Sequence, residues 1–75
     1  MRIEQRVREY LLRHVPERAL TEADLFGSGY LTSLFALQLV MFLEKEFSIQ
    51  LGPDDLQRAN FQSFQALIGL VRAKL

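Results

Sequence analysis

Apolar residues recur in three blocks of the chain at helical rather than alternating spacing. In residues 3–14, Ile3, Val7, Tyr10, Leu11 and His14 fall on one face, with Arg and Glu between them. Pro16 disfavours helical backbone at Val15, so the first helix should stop near His14. A long connection, Val15 to Thr32, follows. Its "FGSGY" stretch carries two glycines, the residues that suit tight turns and positive φ, and Thr21 and Asp24 are candidate caps for a short helical turn. The second block predicts a helix from Ser33 to Phe47, with Thr32 or Ser33 as its N-cap. "SIQLGPDD" breaks it, with Ile49 and Leu51 as apolar anchors. Pro53, Asp54 and Asp55 suit the first turn of a short helix. After a further break near Asn60, Phe64, Leu67, Ile68 and Val71 form the stripe of a last helix that ends in Arg72 and Lys74. No segment alternates with period two over a useful length. The pattern predicts an all-α fold, a small four-helix bundle of three longer helices, a short third helix and a long first loop, in one domain over residues 1–75.

The second helix has more apolar residues than a core stripe needs. Steps of about 100° per residue place Ala36, Leu37, Leu39, Val40, Leu43 and Phe47 together as the expected core side. The opposite arc holds Leu34, Phe35, Gln38, Met41, Phe42, Lys45 and Glu46, of which four are large and apolar. A helix apolar on most of its circumference is either covered on all sides or presents a patch to a partner. A small bundle has few ways to surround one helix. Leu34, Phe35, Met41 and Phe42 are therefore expected to contribute to a docking surface; the alternative is that the long loop folds over them as core.

Composition narrows the chemistry. The 75 residues are 49% hydrophobic, enough for a core but near the lower size at which one holds a fold alone. Nine basic and nine acidic side chains cancel, which argues against nucleic acid as the main partner. There is no cysteine, so disulfides, thiolate metal sites and a Cys nucleophile are excluded. "MRIEQRVREY" lacks the apolar core of a signal peptide, and the run from Leu34 to Leu43 falls short of the roughly 20 residues of a membrane span. A cytoplasmic monomer away from membranes is expected. A serine-protease role for Ser33 lacks a base, since the only histidine, His14, reads more simply as a residue at a helix C-terminal end. On spacing alone, Ser33 is a helix cap.

"DLFGSGYLTSLFALQLVMFLEKEFSIQL" (residues 24–51), followed by "DDLQRANFQSFQALIGLV" (residues 54–71), resembles the acyl and peptidyl carrier proteins. That family shows a glycine-rich approach, Asp-Ser-Leu, an apolar helix ending in Leu-Glu-x-x-Phe, and later an Asn/Thr-Phe-x-Ser-like entry to the final helix. Ser33-Leu34 stands in register with Leu43, Glu44 and Phe47. The resemblance implies that Ser33 carries 4′-phosphopantetheine, placed there from coenzyme A by a phosphopantetheinyl transferase. The arm's thiol then holds an acyl group as a thioester. It further implies a non-catalytic protein served by an acyl-loading enzyme and a downstream synthase, dehydrogenase or acyltransferase. Thr32 stands where the family usually has Asp; it can still cap the helix, so the difference bears on recognition rather than fold.

Thr32, Leu34, Phe35, Gln38, Met41 and Phe42 are the expected partner-docking residues around Ser33. Fatty-acid carriers usually present acidic residues there, so recognition here is expected to be mainly apolar and less salt-sensitive. "SLFALQLVMFLEKEF" is most similar to discrete carriers of secondary-metabolite pathways, polyketide or mixed polyketide and peptide, in particular those for hydroxymalonyl- or methoxymalonyl-type extender units. A reading from another class is an unmodified helical interaction module that binds a partner through the apolar second helix, with Ser33 only a cap.

Overall fold

The computed structural model describes residues 2–75. Four α-helices follow in order: α1 (Ile3–Leu12), α2 (Ser33–Phe47), α3 (Arg58–Phe61) and α4 (Phe64–Lys74), with a 3₁₀ helix, Glu17–Thr21, between the first two. No strand occurs among the described residues. The all-α four-helix bundle with a short third helix and a long first loop, expected from the periodicity, is the fold observed.

α1 buries Val7 and Leu11, one turn apart, and ends two residues before His14. The amides of His14 and Val15 both donate to the Leu11 carbonyl, a tightening of the last turn ahead of Pro16. α1 and α2 run antiparallel. Their contacts pair Arg6 with Glu46 (3.3 Å), Tyr10 with Phe42 (ring centroids 4.0 Å apart, nearly coplanar) and His14 with Phe35 (4.8 Å), so one number rises as the other falls. α1 and α3 both pack on α4. α4 buries Phe64, Leu67, Ile68, Leu70 and Val71, and starts from Ser63, whose hydroxyl accepts from the Ala66 amide (3.1 Å).

The long loop belongs to the core. Ala19, Leu25 and Leu31 are buried, and the Leu25 amide donates to the Gln62 carbonyl (2.7 Å), which ties the loop to the α3–α4 junction. Asp24 caps the turn at residues 25–29 by accepting from the Gly27 amide (3.0 Å). A Cβ on Gly27 would lie 2.5 Å from that carboxylate and displace it from its cap, and Gly29 has φ +87°, a conformation that favours glycine. Thr21 caps nothing; its hydroxyl donates to the Arg18 carbonyl at the end of the 3₁₀ helix.

Two expected elements shift. Pro53–Asp55 forms an isolated turn rather than the start of the short helix, because Asp55 folds back to accept from the Gly52 amide (2.9 Å) and its own amide bonds the Gly52 carbonyl. The short helix begins at Arg58 and contains Asn60; the break before α4 falls at Gln62 and Ser63.

Candidate functional site

Thr32 has extended backbone (φ −98°, ψ 169°), and its hydroxyl accepts from the Phe35 amide (3.2 Å) while its carbonyl accepts from Ala36 (2.8 Å). Thr32 is therefore the N-cap of α2, and Ser33 is the first residue of the helix. The Ser33 side chain is exposed, and its hydroxyl makes no hydrogen bond among the described residues. Thr32 caps the Phe35 amide, the earlier first-turn amides have no intrahelical acceptor, and α2 carries no acid there, so the serine sits at the positive end of the helix dipole. A phosphodiester on Ser33 fits this environment, because backbone N–H groups and the helix dipole both favour negative charge at that position.

Ser33 also opens onto a groove of about 430 Å³ between α2 and the α3 segment. Phe26, Ala36, Leu37, Val40, Leu56 and Phe61 form its apolar lining, and Gln57 and Arg58 its polar one. Arg58 lies over the Phe26 ring (4.9 Å) and pairs with both carboxylate oxygens of Asp24 (3.4 Å each). The Gly27 amide first, and Arg58 with it, hold the Asp24 carboxyl below its ordinary range.

The remaining candidates on α2 divide. Leu34 (68% exposed), Gln38 and Met41 (62%) face outward. Phe35 and Phe42 do not form a free surface: both are half-buried, with Tyr10 stacked on Phe42 and Tyr10 and His14 against Phe35. The same packing raises the Tyr10 phenol pKa through desolvation. Leu37, expected in the core, is 58% exposed. The buried residues Leu39, Leu43 and Phe47 centre on Leu43, and Leu37 points about 120° away from it. The outward stripe is thus Leu34, Leu37 and Met41, with Gln38 beside it. Centring the helical wheel on Leu43 would have found Leu37; no local signal marks Arg58 or Leu56 as neighbours of Ser33.

Compared with known families, residues 2–71 match the phosphopantetheine attachment site family. The chain belongs to this phosphopantetheine-binding carrier family, whose members hold covalently attached 4′-phosphopantetheine and tether acyl or peptidyl intermediates on it. They are carriers rather than catalysts, and they interact with a phosphopantetheinyl transferase and with partner enzymes. No curated protein matches the chain. No helix among the described residues is long and apolar enough to cross a membrane.

Proposed function

We propose that this chain is an acyl carrier protein of a secondary-metabolite pathway, polyketide or mixed polyketide and peptide, and that Ser33 bears its arm. The observation that carries the assignment to Ser33 is the placement of the cap. Thr32 supplies the side-chain cap of α2, which leaves the Ser33 hydroxyl exposed and without a hydrogen-bond partner among the described residues. In the loading step the Ser33 oxygen forms a new P–O bond to the phosphate that bears pantetheine in coenzyme A. The pyrophosphate bond breaks, adenosine 3′,5′-bisphosphate leaves, and the serine proton passes to a base of the transferase. Once bound, the arm supplies a thiol that carries the acyl group as a thioester.

Partner enzymes read the outward face of α2: Thr32 and Gln38 with the apolar stripe of Leu34, Leu37 and Met41, flanked by the half-buried edges of Phe35 and Phe42. The face carries no acid in its first turn, which supports apolar recognition over charge steering. The similarity of residues 33–47 to carriers of hydroxymalonyl- and methoxymalonyl-type units supports a short, polar dicarboxylic cargo.

Intact-mass measurement after incubation with coenzyme A and a promiscuous transferase tests the assignment. Wild type should gain about 340 Da, the mass of the arm. Ser33→Ala should gain nothing and melt close to wild type, whereas Thr32→Ala should retain the gain and cost about 1 kcal/mol through the lost cap. A Ser33→Ala protein that still gains mass refutes the assignment.

A further inference from the structure

Arg58 is the only charged residue that lines the groove onto which Ser33 opens. Its side chain is largely exposed and is oriented by two contacts: Phe26 supports one face of the guanidinium, and Asp24, itself fixed by the Gly27 amide, lies beside one terminal nitrogen. Both contacts to Asp24 use the same nitrogen at 3.4 Å, near the outer limit of a hydrogen bond, and Arg58 makes no other hydrogen bond among the described residues. Most of its five N–H donors therefore remain available. The planar fork matches phosphate and carboxylate alike. At about 430 Å³ the groove falls within the range of small-molecule sites and can hold a short acyl group.

We infer that Arg58 is the oxyanion anchor of the loaded carrier: from the rim of this groove its guanidinium pairs with an anionic oxygen of the conjugate tethered to Ser33. That oxygen belongs either to the phosphodiester on Ser33 or to an ionised carboxylate on a dicarboxylic cargo. The inference rests on the Ser33 assignment. In the second case Arg58 also determines which cargo rests against the protein, because a neutral acyl group offers the guanidinium no anionic acceptor.

The test follows the Arg58 side-chain Nε–H resonance of ¹⁵N-labelled protein, identified by its loss in Arg58→Gln, in four forms of wild type: apo, loaded with the bare arm, loaded with a malonyl-type group, and loaded with neutral butyryl. A downfield move on addition of the bare arm assigns the anchor to the phosphodiester. A move with malonyl but with neither butyryl nor the bare arm assigns it to the cargo carboxylate. A resonance that stays at its apo position in all three loaded forms, or that moves only with butyryl and malonyl alike, overturns the inference while the mass gain leaves the Ser33 assignment standing. A wild type that gains no mass overturns both.

Discussion

α2 and α4 are both apolar helices of one small bundle, yet they use their apolar residues differently. α4 buries all five of its large apolar residues, Phe64, Leu67, Ile68, Leu70 and Val71. α2 has ten apolar residues but buries only Leu39, Leu43 and Phe47. Phe35, Ala36, Val40 and Phe42 lie half-covered on its flanks, and Leu34, Leu37 and Met41 face outward. The more hydrophobic helix is the less buried one. α4 is apolar because the fold requires it, whereas α2 exceeds what the fold requires, and the excess lies beside Ser33. Apolar surface kept in water at that position supports the proposed docking face for partners.

Substitutions can break this comparison. The largest effect belongs to α4: Leu67→Ala, at a fully buried position, should cost about 2–5 kcal/mol in urea unfolding, and Leu43→Ala on the buried side of α2 about the same. Phe42→Ser should fall between the classes, at roughly 1–3 kcal/mol, because Tyr10 covers one face of its ring and solvent reaches the remainder. Its loss should also return the Tyr10 phenol toward its ordinary pKa, readable in a spectroscopic titration.

Leu37→Ser and Met41→Ser should leave the unfolding midpoint within about 0.5 kcal/mol of wild type while slowing arm transfer and acyl delivery. If either instead destabilises the protein as Leu67→Ala does, the outward face of α2 is core and the contrast between the helices disappears.

The smallest effect is electrostatic. The Lys74 ammonium (2.9 Å), then the Gly52 amide, lower the Asp55 carboxyl pKa below its unfolded value. A folded pKa below the unfolded one stabilises the protein above the ordinary carboxylate range near pH ~3.9. That contribution disappears as pH falls through the folded value. Thermal midpoints should therefore decline below about pH 4, and Asp55→Asn should flatten that decline. An unchanged slope in the variant would remove Asp55 from the acid response.

Legibility in the sequence follows how local each determinant is. Both ends of α2 are legible, because Thr32 or Ser33 marks its start and "SIQLGPDD" breaks it after Phe47; the structure closes it there with Ser48 in the left-handed region (φ 53°, ψ 44°). The α4 stripe was found because one face of an eleven-residue helix repeats three times. α3 was misplaced: four residues show no periodicity, and Pro53 with two acids resembles a helix start as much as the turn it forms. The family register points to Ser33 as the expected attachment residue, but which of Thr32 and Ser33 caps the helix is not legible in the sequence and is decided by the backbone, which makes Thr32 the cap.

The amino-acid sequence by itself determined the helical class, the extent of α2 and α4, the excess of apolar surface on α2 and the family register around Ser33, all of which depend on spacings within one or two turns. Tertiary structure decided the rest. It placed α1 against Phe35 and Phe42, turned Leu37 outward, brought Arg58 to Asp24 across 34 residues of chain, and put Arg58 in the lining of the groove onto which Ser33 opens. Those outcomes depend on which faces of neighbouring helices meet, and that is set by the packing of the whole core rather than by any local stretch.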